Sequence, residues 1–468
     1  MNETRKAFGE GFYWGGSTSA FQFEGGASEG GKGRSVYDVD LPSGADFSIA
    51  SDFYHNWEQD IDLLAGMGFN SFRMSIAWTR LFSNGDDPEV SEEGAAFYRR
   101  VFERLVARGI APVVTLYHWD LPLALAKRGG WLDGQTVDAF LRYCETCFSL
   151  YGDLVKNWLT LNEDNLSLMM PGFQVAGPRA FGPDAPRLSR AEEFAIYHNT
   201  NLAHFGAVRL CHELVPDARI GCMLASSLAY PLTPDPRDVL AAQRHNRATM
   251  YDYLDLLTSG GYPVAQLDEM REAGFEPSTM LPDGTLLSDA GCRMDFISLS
   301  YYFSICQADG SRADAPSGHT VQTMFSSYDN PRLEKSSFGW TIDPLGLRIL
   351  LGDLYGRYRL PLMVVENGLG VTDDVLGEDG CVHDPYRIEY LRQHISAVRD
   401  AVLEDKVDVL GYLPWGCIDL LSASGDASKR YGFVYVDFGS EGLPRHKKDS
   451  FEWYRRVIAS NGADLGGE

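Results

Sequence analysis

Short hydrophobic runs alternate with longer amphipathic segments along nearly the whole chain. The runs have the length and composition of buried strands, and they cover residues 12–17, 69–76, 111–116, 155–162, 219–224, 295–302, 362–366 and 409–415. Segments with helical periodicity lie between or after them, at 56–67, 92–108, 135–151, 190–214, 237–258, 343–358, 385–403 and 448–459. Eight strand-then-helix units predict an α/β fold, a single-domain (β/α)8 TIM barrel that extends over residues 1–468.

Three stretches rich in Gly, Asp, Pro and Ser interrupt this alternation, at about residues 171–190, 305–336 and 371–384. We interpret them as long loops after strands and not as domain linkers, because barrel enzymes build their clefts from the loops at the carboxyl ends of their strands. The aromatic content of 12% also fits a cleft that stacks against flat sugar rings.

Polar side chains follow most of the predicted strands at the end where the active site of such a barrel lies. They are Arg73, His118, Trp119, Asp120, Asn162, Glu163, Tyr302, Glu366, Trp415 and Asp419. Glu163 and Glu366 are the most informative, because a buried strand that ends in an unpaired carboxylate is costly. Two facing carboxylates are the pair that glycoside hydrolysis needs: one donates a proton, and the other attacks the anomeric carbon or activates water.

Several of these residues also have a structural interpretation. The two glutamates could be buried members of ion pairs, with Arg73 as a partner. His118 could be a hydrogen-bonded core histidine, and Trp340 could be a core tryptophan. For the adjacent cations Lys429 and Arg430, a solvated loop pair is the usual outcome, and we favour that interpretation for Arg430.

The charge balance is strongly acidic, with 41 Lys and Arg against 65 Asp and Glu and a formal net charge of −24. Such a chain is unsuited to nucleic acid or an anionic membrane. No apolar stretch of about 18 residues and no apolar leader occurs, so we expect neither a transmembrane helix nor a signal peptide. The eight scattered cysteines fit a reducing cytoplasm. Cys144 and Cys147 form a lone CxxC pair, which we interpret as structural.

Three separated motifs resemble those of glycoside hydrolase family 1, the β-glucosidase family. They are the opening segment FYWGGSTSAFQFEG at 12–25, TLNE at 160–163 and ENG at 366–368. The similarity extends from about residue 11 to residue 461. Asp164 departs from the pattern, because many members have proline after the glutamate, but the carboxylate itself is present.

The resemblance implies a configuration-retaining double displacement, with Glu366 as the nucleophile and Glu163 as the acid and then the base. Retaining enzymes hold these carboxyl groups about 5–5.5 Å apart. We expect Arg73 and Tyr302 to keep Glu366 ionised by charge and hydrogen bonding. Aromatic surroundings and the charge of Glu366 should raise the pKa of Glu163, so that it stays protonated near neutrality.

The resemblance also implies which side chains bind the sugar. Gln22, His118 and Asn162 match the family's ligands of the sugar hydroxyls, and Asn162 is expected to hold the 2-hydroxyl. Trp415 would lie under the ring, and Trp340 would line the leaving-group side. Neither a metal nor an organic cofactor is implied.

The loop after strand eight indicates the branch of the family. β-Glucosidases carry a glutamate there that binds the 4- and 6-hydroxyls, and Ser422 replaces it. Ser422, with Ser424 as the second choice, joins Lys429 and Tyr431 in a set that resembles the phosphate loop of 6-phospho-β-glycosidases. Hydroxyl and ammonium groups can donate to a phosphate that a carboxylate would repel. Ala423 stands where galactosidases tend to have tryptophan, which favours the gluco configuration.

The expected function is therefore cytoplasmic hydrolysis of 6-phospho-β-glucosides, such as phosphorylated cellobiose or aryl-β-glucosides imported by a phosphotransferase system, with release of glucose 6-phosphate. The expected partner is this small molecule, without nucleic acid or membrane, and a homo-oligomer is compatible with the sequence. Two alternatives remain. One is a β-glucosidase for unphosphorylated sugars, which Ser422 disfavours. The other is a non-catalytic sugar-phosphate sensor, which the two intact carboxylates disfavour.

Overall fold

The computed structural model describes residues 8–183, 185–310 and 327–466. Eight strands form its main sheet: β1 Tyr13–Trp14, β2 Ser71–Ser75, β3 Ala111–Tyr117, β4 Asn157–Asn162, β5 Arg219–Ser226, β6 Phe296–Tyr301, β7 Leu362–Glu366 and β8 Val409–Tyr412. Neighbours in the order β1-β8-β7-β6-β5-β4-β3-β2 pair in parallel. The fold class is confirmed as a single-domain (β/α)8 barrel, whereas the bounds 1–468 stay a prediction.

Backbone hydrogen bonds between β2 and the segment just after β1 close the barrel. The N–H of Arg73 donates to the carbonyl of Gly16, and the N–H of Thr18 donates to the carbonyl of Arg73, each at 2.9 Å. The two chains approach closely at Gly15, where an added Cβ would lie 1.9 Å from the carbonyl oxygen of Ser71. Glycine is therefore required at this seam.

Helices surround the barrel between the strands. Their bounds are Ala20–Phe23, Phe53–Met67, Trp78–Leu81, Glu92–Ala107, Leu123–Ala126, Gln135–Tyr151, Pro171–Ala176, Arg190–Leu214, Pro236–Asn246, Asp252–Ser259, Val264–Glu272, Pro344–Tyr358, Pro385–Leu403 and Asp449–Ala459. The longest begins with a capping box, in which Ser189 and Glu192 each accept from the backbone N–H of the other. In the described ranges, no helix is both long and apolar enough to cross a membrane.

The structure corrects several predicted elements. The segment 171–190 is not a plain loop, since it contains Pro171–Ala176 and the 3-10 helix Gly177–Phe181. Proline and glycine signalled a loop there, but proline is well accommodated in the first turn of a helix. The stretch 305–336 begins with a strand, Ile305–Gln307, and its part from 311 to 326 lies outside the described residues. The predicted helix 237–258 contains a π-helical turn at Arg247–Tyr251.

Two apolar layers support the fold. The larger one lies between the barrel and its helices, and it includes Cys144 and Cys147, both buried and unpaired. A second apolar cluster is separate from this outer core. It joins residues from β3 to β7 with Leu413, which lies just after β8. Its members are Val113, Leu159, Met223, Phe296, Met363, Val365 and Leu413. Their common position is the barrel interior, where they form an apolar floor.

Gly15→Ala should lower the free energy of unfolding by at least about 2 kcal/mol, or prevent folding, because its methyl group would overlap the backbone of β2. Thermal unfolding followed by circular dichroism measures this. The matched control is Gly66→Ala, at an exposed helix position with no atom within 4 Å of the new methyl group. It should stabilise the protein by up to about 1 kcal/mol. Equal melting temperatures for the two variants would contradict the close contact at the seam.

Candidate active site

A cavity of about 370 Å³ opens at the carboxyl ends of the barrel strands. Every residue with a predicted catalytic, sugar-binding or phosphate-binding role except Arg73 lines it: Gln22, His118, Asn162, Glu163, Tyr302, Trp340, Glu366, Trp415, Ser422, Ser424, Lys429 and Tyr431. Trp119 lines it as well, whereas Asp120 and Asp419, which the sequence also predicts at this end of the barrel, do not. Arg73 is fully buried beside the cavity and contacts two of these residues. The structure therefore brings the predicted residues together in one place.

The carboxylate of Glu366 ends β7 and accepts two strong hydrogen bonds. Arg73 donates to its Oε1 at 2.5 Å, and the phenol of Tyr302 donates to its Oε2 at 2.9 Å. Both carboxylate oxygens are thus occupied by donors that stabilise the charged form. The contact between Arg73 and Glu366 is also an ion pair, and both of its side chains are buried.

Arg73 also positions Asn162 at the end of β4. Its second terminal nitrogen donates to Oδ1 of Asn162 at 2.6 Å, and its Nε donates to Thr115 at 2.9 Å. The hydrogen bond to Oδ1 fixes the orientation of the Asn162 amide, so its Nδ2 points away from Arg73. In the described part of the chain, this Nδ2 is buried without a hydrogen-bond partner, and so is Nδ1 of His118. Buried polar atoms of this kind are suited to binding polar groups of a ligand.

Glu163 follows β4 in a left-handed conformation, with φ of 51°. Such a conformation is uncommon for a residue with a side chain, and it aims the carboxyl group into the cavity instead of along the strand. Ser300 on β6 donates to its Oε1 at 2.5 Å. Glu163 thus receives one neutral donor, whereas Glu366 receives a cation and a phenol.

The two carboxyl groups have different electrostatic surroundings. Burial raises the pKa of Glu163 to about 8, and repulsion from Glu366 adds to the rise. Burial also raises the pKa of Glu366, but Arg73 and Tyr302 oppose that rise. Since the stronger donors contact Glu366, Glu163 holds the proton when the pair carries one proton. A protonated and an ionised carboxyl group in one cavity provide an acid and a nucleophile or base.

One wall of the cavity is built from aromatic and amide groups. The rings of His118 and Trp415 stack with their centroids 5.6 Å apart. Burial, with a smaller effect of Arg73, lowers the pKa of His118 well below its usual value, so this imidazole is neutral. Gln22 accepts from Ser19 and donates to the carbonyl of Leu421, each within 2.8 Å. These contacts connect the opening motif of the sequence to the loop after β8.

Lys429 enters the cavity from that loop among aromatic rings. Its Nζ lies 3.9 Å from the ring centroid of Trp340, 4.6 Å from that of Phe338 and 5.4 Å from that of Tyr431. Burial lowers its pKa to about 8, against a smaller opposing effect of Asp426. Among the described residues, no carboxylate lies within ion-pair distance of this ammonium. Its position at the cavity favours the interpretation of Lys429 as a ligand-binding cation over that of a solvated loop cation, and its role stays a prediction.

The two serines of the loop differ in burial. Ser422 is buried, Ser424 is exposed, and their hydroxyl oxygens lie 2.9 Å apart. The N–H of Asp426 donates to the Ser422 hydroxyl oxygen at 3.0 Å. Both hydroxyls border the cavity beside Tyr431. Their assignment as phosphate ligands stays a prediction.

The interpretation of Arg430 as a solvated loop cation is wrong. Arg430 is buried, pairs with Asp419 at 2.9 Å and donates to the carbonyl of Val436 at 2.8 Å. Asp419 also accepts from Lys448 at 2.9 Å. The loop folds back on residues before and after it, which composition alone does not reveal. Arg430 thus stabilises the loop through these buried contacts.

Sequence reasoning missed several residues of the site. Ser300, the donor to Glu163, could have been inferred from alternation, because it shares a strand face with Tyr302. Asn165, two residues after Glu163, donates to the carbonyl of Thr249 at 2.8 Å and accepts from the N–H of Ala225 at 2.9 Å. Thr249 lies in the π-helical turn Arg247–Tyr251, so Asn165 connects the end of β4 to that turn. No simple sequence signal predicts that turn.

Comparison with known proteins agrees with this geometry. The family model described as Glycosyl hydrolase family 1 matches residues 4–463. The chain is 43% identical over 473 residues to a 6-phospho-beta-glucosidase of Dickeya chrysanthemi, covering 97% of this chain and 98% of that protein. It is 41% identical over 479 residues to a 6-phospho-beta-glucosidase of Clostridium longisporum, covering 98% of both.

A solved structure gives the same result for the fold. The chain resembles the beta-glucosidase from Thermotoga maritima in complex with glucoimidazole with a TM-score of 0.84 and 31% identity, over 97% of this chain and 99% of that one. The family match spans nearly all of the sequence, and the relatives match over nearly their full length. The chain therefore belongs to glycosyl hydrolase family 1 and is a glycosidase.

Proposed function

We propose that this enzyme hydrolyses 6-phospho-β-glucosides with retention of configuration and releases glucose 6-phosphate. The observation that carries the proposal is the position of Lys429, a half-buried ammonium without a carboxylate partner within ion-pair distance among the described residues, in the cavity that contains Glu163 and Glu366. A cation held in this way favours an anionic group on the substrate. The names of the relatives from Dickeya chrysanthemi and Clostridium longisporum support the same substrate class.

Glu366 is the proposed nucleophile, because it is the carboxylate that donors hold in the ionised form. Its oxygen attacks the anomeric carbon while the bond to the leaving oxygen breaks, and the Glu163 proton moves to that oxygen. The product of this step is a glycosyl ester on Glu366. Esterification removes the negative charge beside Glu163, so the pKa of Glu163 falls and its carboxylate accepts a proton from the water that cleaves the ester.

Arg73, Asn162 and Tyr302 support this chemistry in different ways. Arg73 and Tyr302 fix the orientation of the nucleophile through its two oxygens. Arg73 also fixes the amide of Asn162, whose Nδ2 is available to the 2-hydroxyl of the sugar. A hydrogen bond to the 2-hydroxyl strengthens in the transition state and therefore accelerates the reaction.

The remaining residues divide the cavity between the sugar and its phosphate. Gln22, His118 and Trp415 form the proposed sugar wall, and neutral His118 can donate to or accept from a hydroxyl. Ser422, Ser424, Lys429 and Tyr431 form the proposed phosphate end. Trp340 contacts Lys429 as well as Tyr302, so it borders the phosphate end and the nucleophile together.

The proposed location is the cytoplasm. A sugar phosphate with two negative charges does not cross a bilayer, so its supply depends on phosphorylation during import by a phosphotransferase system. Glucose 6-phosphate released there is directly available to sugar metabolism. Fractionation of cells with an antibody against the chain tests this location, and recovery with secreted or envelope proteins would contradict it.

A paired hydrolysis assay tests the substrate class. p-Nitrophenyl β-glucoside 6-phosphate should be cleaved with a much larger kcat/KM than p-nitrophenyl β-glucoside. Lys429→Met should lower kcat/KM for the phosphorylated substrate by about 10- to 100-fold, the effect of one charge-assisted hydrogen bond, and change it little for the neutral one. Lys335→Met, which removes an exposed lysine paired with Asp329, is the control and should change neither value. Equal losses on both substrates would contradict phosphate recognition by Lys429.

The roles of the two glutamates are separable by product chemistry. Glu366→Gln should lose nearly all activity, and Glu163→Gln should lose about 10²- to 10⁴-fold, less on substrates with an acidic leaving group. Proton NMR of the native reaction should show the β-anomer of glucose 6-phosphate first. Initial appearance of the α-anomer would rule out retention, and unchanged cleavage by Glu366→Gln would rule out the nucleophile assignment.

The pH dependence of kcat/KM has a defined sign. Activity requires protonated Glu163, so it should fall as pH rises through about 8. It requires ionised Glu366, so it should also fall at low pH. Partial burial lowers the pKa of the Lys429 ammonium to about 8 as well, so the alkaline limb is best measured in Lys429→Met.

Ser300→Ala then identifies the group responsible for the alkaline limb. The Ser300 hydroxyl stabilises ionised Glu163, so its removal should raise that pKa and shift the limb upward by about one pH unit. The control Ser298→Ala removes a hydroxyl of the same strand that donates to the Cys222 carbonyl, and it should leave the limb in place. A limb that does not move in Ser300→Ala would show that Glu163 is not the titrating acid.

A further inference from the structure

A second cluster of reactive side chains lies outside the cavity, where the segment after β7 meets the start of the last helix. The chain folds into a short hairpin here, with an antiparallel bridge between Leu376 and Val382. Val382 also pairs in parallel with Lys448, and the N–H of Asp449 donates to the Val382 carbonyl at 3.0 Å. Backbone contacts therefore hold the two segments in register.

The direction of the side chains follows from this pairing. Val382 and Lys448 are buried, so their side chains point inward. Cys381 and His383 flank Val382 and project from the opposite face, because side chains alternate along an extended segment. Asp449 follows Lys448 and projects to the same side. A thiol, an imidazole and a carboxylate thus converge at the surface.

The distances between these groups suit one metal ion. Cys381 Sγ lies 3.5 Å from Oδ1 of Asp449, and Nδ1 of His383 lies 2.8 Å from Oδ2 of Asp449. One ligand atom from each residue falls within 4.8 Å of the others. Ligands of a tetrahedral zinc ion at ordinary bond lengths are about 3.3–3.6 Å apart. A small widening of the His383–Asp449 contact would therefore admit the ion.

A fourth residue orients the imidazole. Nε2 of His383 lies 3.2 Å from Oδ2 of Asp379. Metal-bound histidines ordinarily donate their second ring N–H to a carboxylate, which fixes the tautomer and makes the ligand more basic. Asp379 is also fixed, because it accepts from the N–H of Cys381 at 3.1 Å. Nδ1 of His383 thus lies towards the Asp449 carboxylate and the Cys381 thiol, and Nε2 lies towards Asp379, which orients the ring.

We propose that Cys381, His383 and Asp449 bind a divalent transition metal ion of the zinc class, with Asp379 as the orienting partner of His383. Thiolate and imidazole ligands select such metals over Mg²⁺ or Ca²⁺, which prefer oxygen ligands. Three protein ligands leave a fourth position for water. On binding, the thiol proton of Cys381 and the proton on Nδ1 of His383 are released to solvent, and the thiolate and Nδ1 coordinate the ion.

The position of the site gives the metal a structural role. It would join the hairpin to the helix Asp449–Ala459. Directly beneath, Lys448 pairs with Asp374, which belongs to the same segment after β7, and with Asp419 in the loop after β8. The ion would thus stabilise the support of the loop after β8, which borders the catalytic cavity, without contacting the substrate.

Cobalt(II) titration of the metal-free full-length enzyme tests the proposal. One equivalent should bind with a thiolate-to-cobalt charge-transfer band, and Zn²⁺ should displace it, since zinc binds such sites more tightly. Cys381→Ser should abolish the band. His383→Gln and Asp449→Asn should each weaken binding by more than about 10-fold, and Asp379→Asn should weaken it by about 10-fold.

The chain contains a matched control in His55, whose two ring nitrogens also lie near two carboxylates, those of Asp52 and Glu29, but without a thiol in that arrangement. His55→Gln should leave the band and the affinity unchanged. Bound cobalt without a thiolate band, or a band that persists in Cys381→Ser, would overturn the proposal, as would equal losses in His55→Gln. If Asp449→Asn does not fold, the exposed His383 and the half-buried Cys381 still decide the outcome.

Discussion

The guanidinium of Arg73 is the contact on which the catalytic site depends. It is fully buried on β2 and donates to Thr115 on β3, Asn162 on β4 and Glu366 on β7. One side chain therefore fixes the relative positions of strands from opposite sides of the barrel. A buried ion pair is weak evidence for stability, because desolvation of both charges offsets their attraction, and apolar replacements are often as stable. Arg73 is better explained by its effect on chemistry: it keeps one carboxylate ionised and one amide oriented.

The two carboxyl groups work as a pair because their surroundings differ. Glu366 has a cation and a phenol as donors, whereas Glu163 has one serine hydroxyl and a left-handed backbone that directs it into the cavity. The proton therefore resides on Glu163 before the reaction. The charge on Glu366 is part of what keeps it there. In the proposed mechanism, esterification of Glu366 would therefore lower the pKa of Glu163 at the moment when a base is needed. No conformational change is required for this exchange of roles.

Much of the fold and site follows from local patterns. Strand order and fold class could be predicted, because hydrophobic runs and helical periodicity alternate eight times, and the barrel rule places Glu163 and Glu366 at one end. The contacts around Glu163 and Glu366 could not be predicted from the sequence. Nothing in the sequence near Ser300 shows which carboxyl group it contacts. The sequence predicts a solvated Arg430, because its partner Asp419 becomes its neighbour only when the loop folds back. The sequence predicts a loop where the helix Pro171–Ala176 lies, because Pro and Gly are common loop residues.

The proposed phosphate end has to bind an anion in an acidic protein. The net charge of −24 opposes the approach of a dianionic substrate at long range, although salt screens this repulsion beyond about 8–10 Å. Attraction must therefore be local, and the half-buried ammonium of Lys429 is its proposed source. Burial lowers the pKa of Lys429 to about 8, so part of its charge is lost when no anion is bound. A phosphate restores the full charge and gains a strong interaction in a water-poor site. An unphosphorylated glucoside would leave Lys429 half-buried and unpaired by substrate, so the proposed discrimination combines attraction to the phosphate with the cost of its absence.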